Sequence, residues 1–177
     1  MLLIVACVVA CRPEPVLNPH KATGRATNVE HAQEQAPEGT VQARDGSQFE
    51  LATVWRDRRV VLVFYRGHWC PACKHQLGEL EKRRVELGNL GATIVAVSSD
   101  SPADATALHR QLGLGFELYA DPQLAVITKW GVDDYENGIS LPATFVVEAG
   151  GEISYRRVGE KSSDHPTMDE LLDALKR

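Results

Sequence analysis

The sequence lacks the long apolar run that a membrane-spanning helix requires. Its N-terminal apolar stretch, residues 2–10, counts nine residues. As a helix it would reach about 14 Å, roughly half the hydrocarbon core of a bilayer. A basic excess is also missing. The formal net charge is -5, with Lys and Arg scattered among Asp and Glu. That pattern describes a solvated surface and gives no electrostatic footprint for nucleic acid. Cysteine is scarce: four in 177 residues, grouped as Cys7 with Cys11 and Cys70 with Cys73. Disulfide scaffolds spread their cysteines more widely, so the grouping indicates two separate jobs. No internal repeat is present, and no second Cys-x-x-C follows the one at Cys70 and Cys73.

Residues 1–11 read as an address. An apolar run too short to span fits the centre of a secretory signal. Val8-Val9-Ala10-Cys11 resembles a bacterial lipobox, which implies lipidation of Cys11 and removal of Cys7 with the signal. No Lys or Arg precedes the run, a departure from that pattern. An ordinary signal and a buried structural segment are the other readings. Residues 12–39 follow, punctuated by Pro13, Pro15, Pro19 and Pro37 and nearly free of large apolar side chains. Such a segment buries too little to offset its ordering entropy, so it is expected to be a flexible tether.

From residue 40 onward, about 140 residues can bury a core without disulfide staples. Residues 40–43 and 48–51 flank an Asp45-Gly46 turn and form an expected hairpin. Residues 60–65 form a continuous β-branched and aromatic run, suited to a central strand. Pro71 permits a helix start. Cys73, Leu77, Leu80 and Leu87 mark one face of a helix ending near Gly88. A strand at 93–97 follows, then a helix opened by Ser101-Pro102 and stopped by Gly113. A strand at 116–119 leads to a helix capped by Asp121-Pro122 and ended by Gly131. A hairpin of 143–147 and 153–158 turns at Gly150-Gly151. The Thr167 to Glu170 capping box opens a last helix. This order predicts an α/β fold with a central mixed sheet flanked by helices on both faces.

Cys70 and Cys73 stand where that fold places chemistry. At a helix N-terminus, unpaired N–H groups and the macrodipole favour a thiolate. Cys73, one turn further in, can reach the Cys70 sulfur, so Cys70 attacks a disulfide and Cys73 resolves the mixed intermediate. Cys70 is expected at the exposed helix end, with positive charge nearby in sequence from Arg66, His68 and Lys74. Two rival readings exist. One is a zinc site of His68, Cys70, Cys73 and His75, which a rigid helix disfavours because Cys73 and His75 would point about 200° apart. The other is an inert buried pair.

Phe64-Tyr65-Arg66-Gly67-His68-Trp69-Cys70-Pro71-Ala72-Cys73-Lys74 resembles the Trp-Cys-x-x-Cys-Lys centre of thioredoxin-like proteins. Residues 95–102, 119–122 and 130–132 look like the alkyl hydroperoxide reductase/thiol-specific antioxidant branch of that superfamily. Leu141-Pro142-Ala143-Thr144-Phe145 resembles the segment where the fold sets a cis-proline beside the cysteines. By that resemblance Pro142 is cis and turns the Leu141 backbone toward the cysteines. An ordinary strand-start proline is the alternative.

The resemblance implies a thiol-disulfide oxidoreductase with Trp69, Pro71, Arg66, Leu141 and Pro142 around the catalytic Cys70 and Cys73. It implies no metal and no cofactor. Its partners are a disulfide-bearing protein or small molecule, a thiol electron donor, and a membrane held through the Cys11 lipid. The expected place is extracytoplasmic and membrane-anchored, with a cytoplasmic protein as the alternative. The competing activity is hydroperoxide reduction with Cys70 as the peroxidatic cysteine. Against it, Gly67 stands where that family carries a Thr or Ser hydroxyl, and Pro142 where it carries an Arg. The thioredoxin pattern is broken as well, because Phe64 stands where a buried carboxylate is usual.

Overall fold

Strand β3 (Arg59–Phe64) sorts the core into two halves, because successive side chains of a strand point to opposite faces. In the computed structural model, which describes residues 34–177, Val61, Val63 and the following Tyr65 enter one apolar cluster. Val60, Leu62 and Phe64 enter the other. Both clusters are fully covered, so β3 reads as an unbroken apolar run.

Around β3 lies a seven-stranded mixed sheet in the order β2-β1-β5-β4-β3-β8-β9. Strands β4 (Ala92–Ser98) and β5 (Glu117–Ala120) run parallel to it. Strand β8 (Ala143–Val147) is antiparallel to β3 and forms a hairpin with β9 (Ile153–Val158). On the far edge, β1 (Thr40–Gln42) and β2 (Gln48–Glu50) form the expected hairpin. Gly46 adopts φ 84° at its turn, a conformation glycine enters freely.

One face carries α1 (Pro71–Lys82), α2 (Arg84–Asn89), α3 (Pro102–Leu112) and α5 (Met168–Leu175). The other carries α4 (Ala125–Lys129) and a short 3-10 turn, Leu51–Thr53. The caps follow the sequence. Ser101 Oγ accepts from Asp104 N–H at 3.2 Å, and Thr167 Oγ1 accepts from Glu170 N–H at 3.2 Å. The Asp121 carboxylate accepts from the N–H groups of Ala125, Val126 and Ile127.

Three expectations change. The single helix expected to end near Gly88 is two, broken at Arg83, which leaves helical geometry at φ -102°, ψ 5°. Leu87 still joins the same core as Leu80, now against β4. Second, residues 34–36, expected to belong to the tether, are held against the body of the fold. Glu34 O accepts from Ile153 N–H, Ala36 N–H donates to Gly151 O at 2.8 Å, and Ala36 is buried. Backbone pairing with the β8–β9 turn holds this stretch without large side chains. Third, β6 (Asp133–Asp134) and β7 (Ile139–Ser140) form a small hairpin too short to leave a periodic signal. The signal segment, Cys11 and residues 12–33 lie outside the described residues. Among the described residues, no helix is long and apolar enough to cross a membrane.

Candidate active site

The site forms where β3 runs out. Tyr65 N–H donates to Val97 O at 3.0 Å, the last bond of the parallel ladder, and the chain then turns through Arg66, Gly67, His68 and Trp69. Cys70 follows as the N-cap of α1, with Pro71 at the first helical position. The Cys70 sulfur accepts the Cys73 N–H at 3.3 Å, taking the part that a Ser or Asp oxygen plays in an ordinary N-cap. Both cysteines are free thiols. The two sulfurs therefore share one helical turn.

Cys70 was expected to be exposed, and it is not: its relative exposure is 1%, equal to that of Cys73. The turn in which Cys70 N–H donates to Gly67 O at 3.1 Å folds the sulfur inward among Tyr65, Ala72 and Leu77. The exposed members of the motif are Pro71 and Trp69, the latter half open to solvent with the Arg66 guanidinium 5.2 Å from its ring centroid. Arg66 thus covers the indole. Burial pushes the Cys73 thiol up to about 12, reinforced by its hydrogen bond to Cys70 and opposed by the backbone N–H groups of Arg66 and Gly67. Cys73 is therefore a proton-bearing thiol that needs help to react.

Residues placed at the site by resemblance are arranged differently. The Leu141–Pro142 peptide is trans, since the described residues contain no cis bond. The backbone there is already engaged. Leu141 N–H donates to Val132 O at 2.7 Å, and Pro142 O accepts from Gly159 N–H at 2.8 Å. The β6–β7 hairpin and β9 thus hold the segment, and the Leu141 amide is not free to pair with a bound peptide. Phe64 points to the face opposite the cysteines, against Trp130 and Phe145. Gly67 has φ 156°, and a Cβ there would stand 2.6 Å from Trp69 Nε1 and 3.1 Å from Asp100 Oδ1. No hydroxyl-bearing residue fits at that position without moving the tryptophan.

His75 lies on the outer side of α1, lining a groove with Glu79 and His165. No cluster of three metal-ligating side chains occurs among the described residues. His68 turns instead to Asp100, its Nδ1 2.8 Å from Oδ1. A carboxylate only accepts, so that nitrogen carries the proton. The second carboxylate oxygen accepts from His68 N–H at 2.8 Å and Ser98 Oγ at 2.9 Å. Sequence reasoning assigned no role to Asp100, Ser98 or Tyr65. A signal was available: Tyr65 shares the parity of Val61 and Val63, and Ser98 ends the parallel neighbour strand. Side chains there gather at the carboxyl ends of parallel strands, where α/β folds place their sites.

The AhpC/TSA family model matches residues 32–156. The chain belongs to the AhpC/TSA family. Its relatives carry two kinds of name. A Mycobacterium tuberculosis protein named as a peroxiredoxin is 29% identical over 138 residues, covering 75% of this chain and 87% of the relative. Peroxiredoxin Bcp of Escherichia coli is 26% identical, covering 80% and 92%. The thiol-disulfide oxidoreductase ResA of Halalkalibacterium halodurans is 25% identical, covering 82% and 77%. Among solved structures, Enterococcus faecalis AhpC superposes with a TM-score of 0.72 at 18% identity, covering 81% of this chain and 89% of its own. That likeness establishes the thioredoxin-like fold. A redox enzyme of this family is the activity class these relatives share.

Proposed function

We propose that this chain is a thiol-disulfide oxidoreductase, with Cys70 as nucleophile and Cys73 as resolving thiol. The observation that carries the reading is the bond from Cys73 N–H to the Cys70 sulfur, which sets both sulfurs in the first turn of α1. The Cys70 thiolate attacks one sulfur of a substrate disulfide. That S–S bond breaks, a Cys70–substrate disulfide forms, and the first substrate thiolate leaves to take a proton. Cys73, deprotonated, then attacks the Cys70 sulfur and expels the second thiolate. The substrate gains two electrons, and the protein is left with a Cys70–Cys73 disulfide for a thiol donor to reduce.

Hydroperoxide reduction is the second reading. Full burial of Cys70 favours it, because a small hydroperoxide needs less opening than a protein disulfide. The names of the relatives favour it too. Against it stand the missing hydroxyl at Gly67 and the missing guanidinium at Pro142. Insulin-disulfide reduction and hydroperoxide consumption, each with Cys70→Ser as control, separate the two. Insulin reduction lost in the control supports the first reading, and hydroperoxide turnover without it establishes the second. Cys73→Ser should accumulate mixed disulfides and Cys70→Ser none; the reverse pattern overturns the assignment of roles.

The proposal includes a lipid-anchored, extracytoplasmic address carried by Cys11, supported by the lipobox-like Val8 to Cys11 tetrapeptide. Two or more acyl chains would hold the protein firmly. An oxidising compartment would then require a dedicated thiol donor. Cys11→Ala should move the protein from the membrane to the soluble fraction. Equal solubility of both forms in the cytoplasm removes the address.

A further inference from the structure

Asp100 is a buried carboxylate spent on the cysteine loop. One of its oxygens takes the His68 ring at Nδ1 and the other takes the His68 backbone N–H, both at 2.8 Å. Ser98 Oγ adds a bond at 2.9 Å. A carboxylate held this way fixes both the rotation and the tautomer of the ring. Nδ1 carries the proton, and Nε2 takes no part in these bonds. The Asp100 side chain is 5% exposed and that of His68 43%, so the couple has a closed end and an open end.

Gly67 joins this couple to the nucleophile. Its carbonyl accepts from Cys70 N–H at 3.1 Å, closing a turn that runs through His68 and Trp69. A Cβ on the same residue would stand 3.1 Å from Asp100 Oδ1. Cys70 is buried, so a disulfide reaches its sulfur over the open part of the motif: His68, Trp69 and Pro71. The side chain of Pro71 has no proton to give, and the Trp69 indole N–H donates a hydrogen bond without being released. Arg66, stacked on that indole, does not give up its proton in proteins. Lys74 lies a turn further along α1, its N–H on Cys70 O at 3.1 Å. Imidazole is the one group of this rim suited to exchanging a proton.

We propose that His68 is the general acid for the departing sulfur, with Asp100 as the positioning residue behind it. The Cys70 thiolate attacks one sulfur of the substrate disulfide. The S–S bond breaks with both electrons on the departing sulfur, which takes the Nε2 proton of the His68 imidazolium. His68 stays bonded to Asp100 through Nδ1–H as a neutral ring and regains its proton from solvent. One S–S bond forms, one breaks, and the first substrate half leaves as a neutral thiol. The couple acts on the leaving group, so its effect is largest where the departing thiolate is least stable.

This inference rests on Cys70 being the nucleophile toward disulfides, and the test keeps the two apart. The reduced full chain is mixed with dithiodipyridine, whose thiopyridone leaves readily without a proton on sulfur, or with bis(hydroxyethyl) disulfide, whose aliphatic thiolate leaves poorly. With dithiodipyridine, release of the first thiopyridone reports attack by Cys70, and release of the second reports attack by Cys73. With the aliphatic disulfide, acid quenching, alkylation and mass measurement follow the loss of reduced protein. His68→Asn keeps an N–H donor for Asp100 and removes Nε2. It should slow the aliphatic reaction by about 100-fold, the lower end of what a placed proton-transfer group contributes. The first thiopyridone release should keep the wild-type rate. Asp100→Asn should show the same selectivity between the two disulfides. If it does not fold, His68→Asn decides alone, since the ring it removes is partly exposed. Slowing by the same factor with both disulfides, as a displaced loop would give, overturns His68 as the acid, and so does an unchanged aliphatic rate. If Cys70→Ser still shows the first thiopyridone release at the wild-type rate, the assignment of the nucleophile fails first and this inference falls with it.

Discussion

The two faces of the sheet are built on different chemistry from the same alternating strands. On the far face, Phe64, Trp130 and Phe145 form an aromatic cluster, with ring centroids 4.8 Å apart for Trp130 and Phe145 and 5.4 Å for Phe64 and Trp130. Trp55 meets Trp130 edge-on at 6.0 Å. On the near face, Tyr65 follows β3, Ser98 ends β4, Thr144 lies near the start of the antiparallel β8, and the α1 segment with its N-cap contributes Cys70, Cys73 and Gln76. Polar atoms in a low-dielectric interior lower stability unless paired, so a face that concentrates them gives up stability where chemistry is needed. The far face recovers it through aromatic burial. Both faces carry a buried apolar core, and the near face also carries the cysteine pair.

Truncating the aromatic face should cost stability and leave the thiols alone. Phe145→Ala removes a ring that is 1% exposed, and about 3–5 kcal/mol of unfolding free energy should go with it. Urea denaturation measures the loss, and the ratio of the two thiol-release phases should stay at the wild-type value. A changed ratio would mean that the faces are coupled through β3 and β8.

A smaller effect is expected from forcing the near face toward the peroxide-handling pattern. Gly67→Thr puts a side chain at φ 156°, against Trp69 Nε1. The cost should be about 1–3 kcal/mol, in line with other strained backbone positions. Hydroperoxide turnover should not rise, because the added hydroxyl displaces Trp69 and does not settle beside Cys70. A stable variant with increased peroxidase activity would show that the loop was poised for that chemistry.

The mildest test is pH. Burial and Cys70 raise the Cys73 thiol from 9.0 to about 12, so the folded chain holds this proton more tightly than the unfolded chain does. Its contribution to stability is complete below the unfolded value and is lost as pH rises toward the folded one. Between those limits the reduced protein should lose stability with pH faster than Cys73→Ala, by up to about 1.4 kcal/mol per pH unit. Parallel stability curves would mean that Cys73 is not held in the apolar environment described.

Much of the fold was legible because its signals are local. The run before Phe64, the caps at Ser101 and Thr167, and the Gly113 stop each act within a few residues, and each element formed where expected. The break at Arg83 was not legible, since no Gly or Pro marks it. The hairpin of β6 and β7 spans too few residues to show a period. The pairing of residues 34–36 with the β8–β9 turn joins backbones more than a hundred positions apart and leaves no trace in side-chain pattern.

The site divides along the same line. Sequence alone placed Cys70 and Cys73 in one turn at a helix start, because a proline one residue after Cys70 sets that start and three-residue spacing sets Cys73 one turn inside it. Only the tertiary structure decided how exposed that pair is, and what stands beside it. Cys70 is buried because the turn closed by its N–H on Gly67 O folds it inward. Pro142 is trans and Leu141 engaged because β9 and the β6–β7 hairpin claim their backbones. Asp100 reaches the cysteine loop because β4 runs parallel to β3, bringing residues more than thirty positions apart to the same end of the sheet. Hydrogen bonds between neighbouring strands carry that information, and they exist only once the chain has folded.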